Sequence, residues 1–256
     1  MTALTIPTGF IEQRSHNRTW WIKAGWEEII PACVGMFRSA IPNPQFAIPP
    51  GGGRGTVQRL ELAKQGTALV RRYHRGGFVR HFVRDLYWDR PLRPLAELVC
   101  AETARQRRVP VAEVLGAGVE WVGWGLYRGL FVSREAEGCI NFWEWLQSKP
   151  AEKGREAVIT AVAQAIACMH EAGITHADLN LTNILVQITT NSPVVLLIDF
   201  DRARVFPDSL SLRQRARSLR RLHRSLNKLD PGGLLSSPTD LEIFCRAYQQ
   251  LPTVKA

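Results

Sequence analysis

Apolar residues recur at helical spacing in three stretches of the chain. Behind Pro94, Leu95, Leu98, Val99 and Ala101 predict a helix over 94–106. From Glu152 to Ala172, Val158, Val162, Ala165, Ile166 and Met169 share one face, and Gly173 stands where a helix cap belongs. Over Ser211–Leu229, the residues Leu212, Leu219, Leu222, Leu226 and Leu229 share a face, and the other faces carry Arg213, Arg215, Arg217, Arg220, Arg221, Arg224 and Lys228 with no acid among them. Strand signals lie between the first two helices and before them. Gly51–Val57 and Ala68–Tyr73 read as a hairpin preceded by glycines. Val109–Val122, which contains Gly116 and Gly118, reads as a pair of short strands, and Gly129–Ser133 as another. A polar break at Arg134–Gly138 precedes the aromatic helix start NFWEWL. Behind Gly173 come ITHADLNLTNILV, a turn around Thr189–Pro193, and VVLLIDFDRARV. The first 50 residues show no clear period; tryptophans stand at 20, 21 and 26, and Pro-rich Ile41–Pro50 reads as an extended lead-in. Strands with one helix, then mostly helices, predict a bilobal α+β protein whose lobes meet near residue 135.

Composition narrows the class. The chain has 256 residues, 45% apolar and 22% charged, which excludes disorder as the main state. No apolar run approaches the roughly 18 residues a membrane span needs, and the N-terminus reads as no secretory signal. Five scattered cysteines without a C-x-x-C pair argue against a disulfide framework or zinc knuckle and for a reducing compartment. Lys+Arg number 33 against 23 Asp+Glu, a net charge of +10. This excess points to an anionic partner: nucleic acid, a membrane surface or a phosphorylated substrate. Composition does not choose among them.

The chemistry concentrates in His176-Ala-Asp178-Leu-Asn180-Leu-Thr-Asn183 and, after a turn, Leu197-Ile-Asp199-Phe200-Asp201. Two carboxylates and an amide at the ends of short apolar strands are a common way to build a metal–phosphate site. Asp178 is placed to accept the proton of an attacking hydroxyl. Asn183 and Asp199 supply the oxygen ligands a hard cation such as Mg²⁺ requires. His176 reads as a positioning residue in the loop core.

These two strings resemble the catalytic and metal-binding loops of the protein-kinase-like fold. GGRGTV, RRYHRGGFVRHFVRDLYW, HADLNLTNILV and SLRRLHRSLNKL together resemble the lipopolysaccharide kinases, in particular those acting on 3-deoxy-D-manno-octulosonic acid (Kdo). The resemblance covers most of residues 52–229. It implies one kinase-like domain over 1–256, with an N-terminal extension and start of the N-lobe over 1–50, the β-rich N-lobe over 51–134 and a mainly helical C-lobe over 135–256. It further implies ATP and Mg²⁺, with Gly53, Arg54, Gly55 and Thr56 covering the phosphates. Arg71, in the third strand, stands in place of the phosphate-binding lysine, with Glu97 as its ion-pair partner and Glu102 as the fallback. Glu135 begins the connection whose backbone meets the adenine. Asn180, in place of the lysine two residues after the catalytic Asp, joins Asp178 as a catalytic candidate. Asp201 replaces the glycine after D-F, no A-P-E motif follows, and there is no room for a long activation segment, which favours a small or lipid-linked substrate over a peptide. The implied reaction is phosphorylation of the 4-OH of lipid A-linked Kdo by a peripheral enzyme at the cytoplasmic face of a Gram-negative inner membrane. The anionic membrane surface is then a partner through Arg71–Arg93 or the helix Arg213–Lys228, with no nucleic acid and no obligate protein partner expected. A heptose kinase or another small-molecule phosphotransferase is the alternative enzyme; a basic nucleic-acid-binding module or a pseudokinase is the alternative of another class.

Overall fold

The computed structural model describes residues 4–38, 57–62, 66–73, 85–88, 91–189 and 192–250. The chain divides into two compact units, Met1–Glu102 with Glu113–Glu135, and Thr103–Ala112 with Ala136–Ala256. All five cysteines are free.

In the first unit the chain forms β1 (Phe10–Ser15), β2 (Arg18–Lys23) and the short helix α1 (Ile29–Val34). There follow β3 (Val57–Leu62), β4 (Gly66–Arg72), β5 (Tyr87–Trp88), helix α2 (Arg93–Gln106, whose last turn from Thr103 belongs to the second unit), β6 (Val114–Gly123) and β7 (Leu126–Arg134). The strands make one sheet in the order β1-β2-β6-β7-β4-β3, with β5 paired to β7 and all pairs antiparallel.

Residues 10–38, which show no clear period in the sequence, are structured: Trp20, Ile22, Trp26, Ile29, Cys33 and Phe37 form a core with Ala68, Val70, Leu115, Leu130 and Val132. Two readings of this region need correction. Because β1 and β2 come first, Arg71 sits on the fourth strand among the described residues, not the third. The stretch read as two short strands is the single strand β6, buried from Val114 to Glu120. Its glycines mark close approach rather than a break. A Cβ on Gly118 would lie 2.9 Å from Trp20 Cδ2, and one on Gly116 would lie 2.8 Å from the Trp21 carbonyl oxygen. The buried Glu120 carboxylate ties this face together through Arg18 at 2.9 Å, Arg38 at 3.1 Å and Arg128 at 3.4 Å.

The second unit contains β8 (Ile140–Asn141), α3 (Phe142–Gln147), α4 (Glu152–Glu171) and β9 (Ile174–Thr175). It continues through β10 (Ile184–Gln187), β11 (Val194–Leu197), β12 (Arg204–Val205), α5 (Leu212–Leu229) and α6 (Pro238–Gln249). The predicted helix at 152–172 is α4, whose Val158, Val162, Ala165, Ile166 and Met169 are all buried. Strands β11, β10 and β8 form one small sheet, β12 and β9 another.

Helix α5 starts at a capping box in which Ser211 and Gln214 bond each other's backbone. Leu222 is buried and Leu219, Leu226 and Leu229 half-buried, but Leu212 is 85% exposed. At 3.6 residues per turn Leu212 lies about 80° around the helix from Leu222, at the margin of the stripe. Arg215 falls within about 20° of Leu222, so its guanidinium turns inward and meets Glu171 of α4 at 2.6 Å. The expectation that Arg215 lies on the outer faces is corrected accordingly. Arg213, Arg217, Arg220, Arg224 and Lys228 are exposed, spread over an arc of about 80° on the opposite side.

Candidate active site

The loop after β9 carries the first motif. His176 is fully buried and spans two segments: its Nε2 donates to the Ile198 carbonyl at 2.9 Å, and its Nδ1 accepts from the Asp178 amide at 3.2 Å. That pair of contacts fixes the tautomer. Burial pushes the imidazole below the usual histidine range, against the Ile198 bond and the nearby Asp199 and Asp178 charges, so the ring stays neutral. Phe200 packs edge-on against it at 5.1 Å. One buried ring thus sets the backbone on which both Asp178 and Asp199 sit.

Asn180 closes the loop as a cap. Its Oδ1 accepts from the Thr182 amide at 2.9 Å, the Thr182 hydroxyl at 2.7 Å and the Asn183 amide at 3.0 Å, starting a 3-10 turn at Leu181–Asn183. The turn brings Asn183 back to the loop start, where its Nδ2 donates to the Asp178 carbonyl at 2.8 Å. With Nδ2 so used, Oδ1 is the ligand atom Asn183 has to offer. Strands β10 and β11 pair Ile184 with Leu197, and the Ile198 amide donates to the Asn183 carbonyl at 3.1 Å, so Asn183 and Asp199 lie on adjacent chains. Asp199 has φ +65, a left-handed conformation that Asp and Asn tolerate better than other non-glycine residues. The Asp178 side chain is exposed.

This part of the site therefore offers one carboxylate and one amide oxygen for a cation and a second, exposed carboxylate for a proton. The donors are hard oxygens, which suit a small divalent cation that keeps other positions for water and phosphate. Among the described residues no group of three or more His, Cys, Asp and Glu is arranged to hold a metal.

One further contact lies outside the sequence reading. Ser225 of α5 accepts from the Leu181 amide at 3.3 Å, fastening the loop to the basic helix. A small polar residue on the helix's leucine face is the signal that marks it.

In the first unit, Arg71 of β4 and Glu97 of α2 meet. Arg71 Nη2 lies 2.6 Å from both Glu97 oxygens, and the Tyr73 hydroxyl also donates to Glu97. The Arg71 guanidinium lies 4.9 Å from the Tyr73 ring centroid and 5.6 Å from that of Phe131. Glu102, the fallback, is also buried. Arg72 points the other way and pairs with Asp85. The Glu135 amide is taken by the Thr67 carbonyl at 2.9 Å and its carboxylate by Arg59 at 2.8 Å, which leaves the carbonyl as its backbone group for a base. Gly53, Arg54, Gly55 and Thr56 lie outside the described residues.

Comparison with known proteins finds relatives of one family. The model of the lipopolysaccharide kinase (Kdo/WaaP) family matches residues 50–248. A 3-deoxy-D-manno-octulosonic acid kinase of Xanthomonas axonopodis pv. citri is 37% identical over 182 residues, 70% of this chain and 68% of that protein. The protein of the same name from Stenotrophomonas maltophilia is 34% identical over 213 residues, 79% of this chain and 78% of that one. A solved structure described as "WaaP in complex with acyl carrier protein" matches at a TM-score of 0.60 and 16% identity, covering 91% of this chain and 90% of that one. At that identity the match speaks for the fold.

Proposed function

Because the chain belongs to the lipopolysaccharide kinase (Kdo/WaaP) family, we infer that it is a phosphotransferase that moves a phosphoryl group from ATP to the 4-hydroxyl of Kdo on a lipid A-linked acceptor. The observation that carries this reading is the paired loop of Asp178, Asn183 and Asp199 pinned by His176. Asp178 orients the acceptor hydroxyl and takes its proton as the oxygen–phosphorus bond forms and ADP departs. Asn183 and Asp199 hold Mg²⁺, which when bound neutralises phosphate charge. Arg71, fixed by Glu97, positions the phosphates, and the amides of Gly53–Thr56 cover them. Asn180 supports the site by capping the loop that presents Asp178.

The enzyme works at a membrane face on this reading. No helix of the described residues is long and apolar enough to cross a membrane, so contact is through the surface. The exposed arc of Arg213, Arg217, Arg220, Arg224 and Lys228 supports attraction to an anionic leaflet.

The test is phosphate transfer from radiolabelled ATP to purified Kdo-lipid A beside a heptosylated acceptor. Transfer to the first is expected. Transfer to the heptosylated acceptor alone would reassign the substrate, and no ATP turnover with either would sink the enzyme reading.

A further inference from the structure

The end of the first unit's sheet at the β6–β7 turn carries a feature that packing does not explain. Trp124 stands at the apex of the turn Val122-Gly123-Trp124-Gly125 and is 93% exposed. Its φ is +56, between Gly123 at +113 and Gly125 at +71. Left-handed backbone is unfavourable for a bulky residue, and Asn or Gly would occupy the position at lower cost. The chain thus keeps a large apolar ring in water at a backbone position that resists it.

The neighbours extend the patch. Strand β5 pairs Trp88 with Leu126, the first residue after the turn, and Trp88 is 63% exposed while Val122 is 45% exposed. On the other side of β6 the β1–β2 turn reaches the same end. Asn17 bonds the Trp121 backbone in both directions, at 2.9 and 2.7 Å, with Ser15 and His16 exposed beside it. Two exposed indoles and an exposed valine therefore share this end of the sheet with exposed polar residues.

The shape selects the occupant. A stable protein interface buries about 800 Å² on each side, more than three side chains on a convex turn present. A bilayer interface moulds to any protrusion, and indole favours its headgroup depth, where ring and N–H both find suitable surroundings. The net charge of +10 favours approach to an anionic surface.

We propose that this end of the sheet dips into the interfacial layer of a lipid bilayer, with Trp124 leading and Trp88 and Val122 following. The choice of a bilayer over other partners rests partly on the lipid-linked acceptor inferred above. The contact is apolar, so it persists where salt has screened the cationic arc of α5.

The experiment is co-sedimentation of the full chain with vesicles of phosphatidylcholine and phosphatidylglycerol in 1 M salt, where the Debye length is about 3 Å. Wild type is expected to remain bound. Trp124→Ala should weaken partitioning about tenfold, and adding Trp88→Ala should abolish it. Brominated lipid should quench wild-type fluorescence more than that of Trp124→Phe. Because Trp124 is exposed, Trp124→Ala should melt no lower than wild type. Equal partitioning of wild type and the double variant, or no wild-type binding in 1 M salt, overturns the proposal. So does a concentration-dependent dimer that Trp124→Ala abolishes, which would make the patch a contact between copies. Phosphate transfer to detergent-dispersed Kdo-lipid A should be unchanged by Trp124→Ala; its absence in wild type would defeat the kinase reading and leave the vesicle result standing.

Discussion

Removing the Arg71 side chain takes a cation away from a buried carboxylate. Glu97 is 2% exposed, and Arg71 Nη2 reaches both of its oxygens at 2.6 Å. In Arg71→Ala the Tyr73 hydroxyl remains as a neutral donor, but the Arg71 charge is gone. Breaking a buried ion pair from one side costs about 3–5 kcal/mol, because the partner's desolvation is no longer offset. The cation–π contacts with Tyr73 and Phe131 are lost as well. For a protein of this size each kcal/mol moves the midpoint by about 2–4 °C, so Arg71→Ala should melt about 6–20 °C lower. A fall in activity alone would then be ambiguous. The double variant Arg71→Leu with Glu97→Leu removes both charges and should recover most of the lost stability. Its Michaelis constant for ATP should stay raised and its turnover low, because nothing replaces the guanidinium proposed to hold phosphate. Melting curves, with ATP titration of phosphate transfer at a temperature where every variant is folded, separate the two effects. Melting of Arg71→Ala within about 2 °C of wild type would refute the burial argument. Full turnover in the double variant would refute the phosphate role.

Asp199→Asn should abolish transfer while leaving the melting temperature unchanged, since Asn also tolerates φ +65; wild-type turnover at saturating Mg²⁺ would remove Asp199 from the metal site. Gly118→Ala, whose Cβ would overlap the Trp20 ring, should cost about 1–3 kcal/mol in urea unfolding, and a neutral result would mean that β2 and β6 part easily. Burial pushes His170 down to about 3, helped by the nearby Arg215 charge. Its folded value is depressed, so the unfolded chain takes up the proton first, and stability present above pH 6.5 is lost as pH falls toward 3, by up to about 1.4 kcal/mol per pH unit. Urea midpoints of His170→Gln should show a shallower fall over that window, and an identical slope would exclude His170 as the cause. Changing Arg213, Arg217, Arg220 and Arg224 together to Gln should weaken vesicle binding at low salt, and binding equal to wild type would make the arc a solvated face.

The elements that the sequence displays plainly are those whose partners are local. Helix α4 shows its period because five buried residues fall on one face of a 20-residue helix. The site loop is legible because His176, Asp178, Asn180 and Asn183 bond one another within eight residues. Strand β1 is hidden because five of its six residues are exposed, so it alternates nothing. Strand β6 looks interrupted because its glycines answer to Trp20 and Trp21, almost a hundred positions earlier. Arg215 reads as one more surface cation until Glu171 arrives from another helix. Helix α6 does advertise its start, with Ser237, Pro238 and Asp240 forming a capping box and a first turn.

The family match begins at residue 50, yet the sheet it enters is completed by residues 10–23. Statistical boundaries and folding boundaries differ here. A fragment cut at the match would leave β6 as a bare edge, its backbone groups from Gly116 to Glu120 facing water where β2 had paired. The groove above Gly116 and Gly118 would stand open, and Leu115, Leu130 and Val132 would lose Trp20 and Ile22 as cover. An apolar edge of that kind invites pairing between molecules. A shortened protein of this type should therefore come out of cells as inclusion bodies, and supplying residues 4–38 as a separate chain offers a way to recover it by complementation.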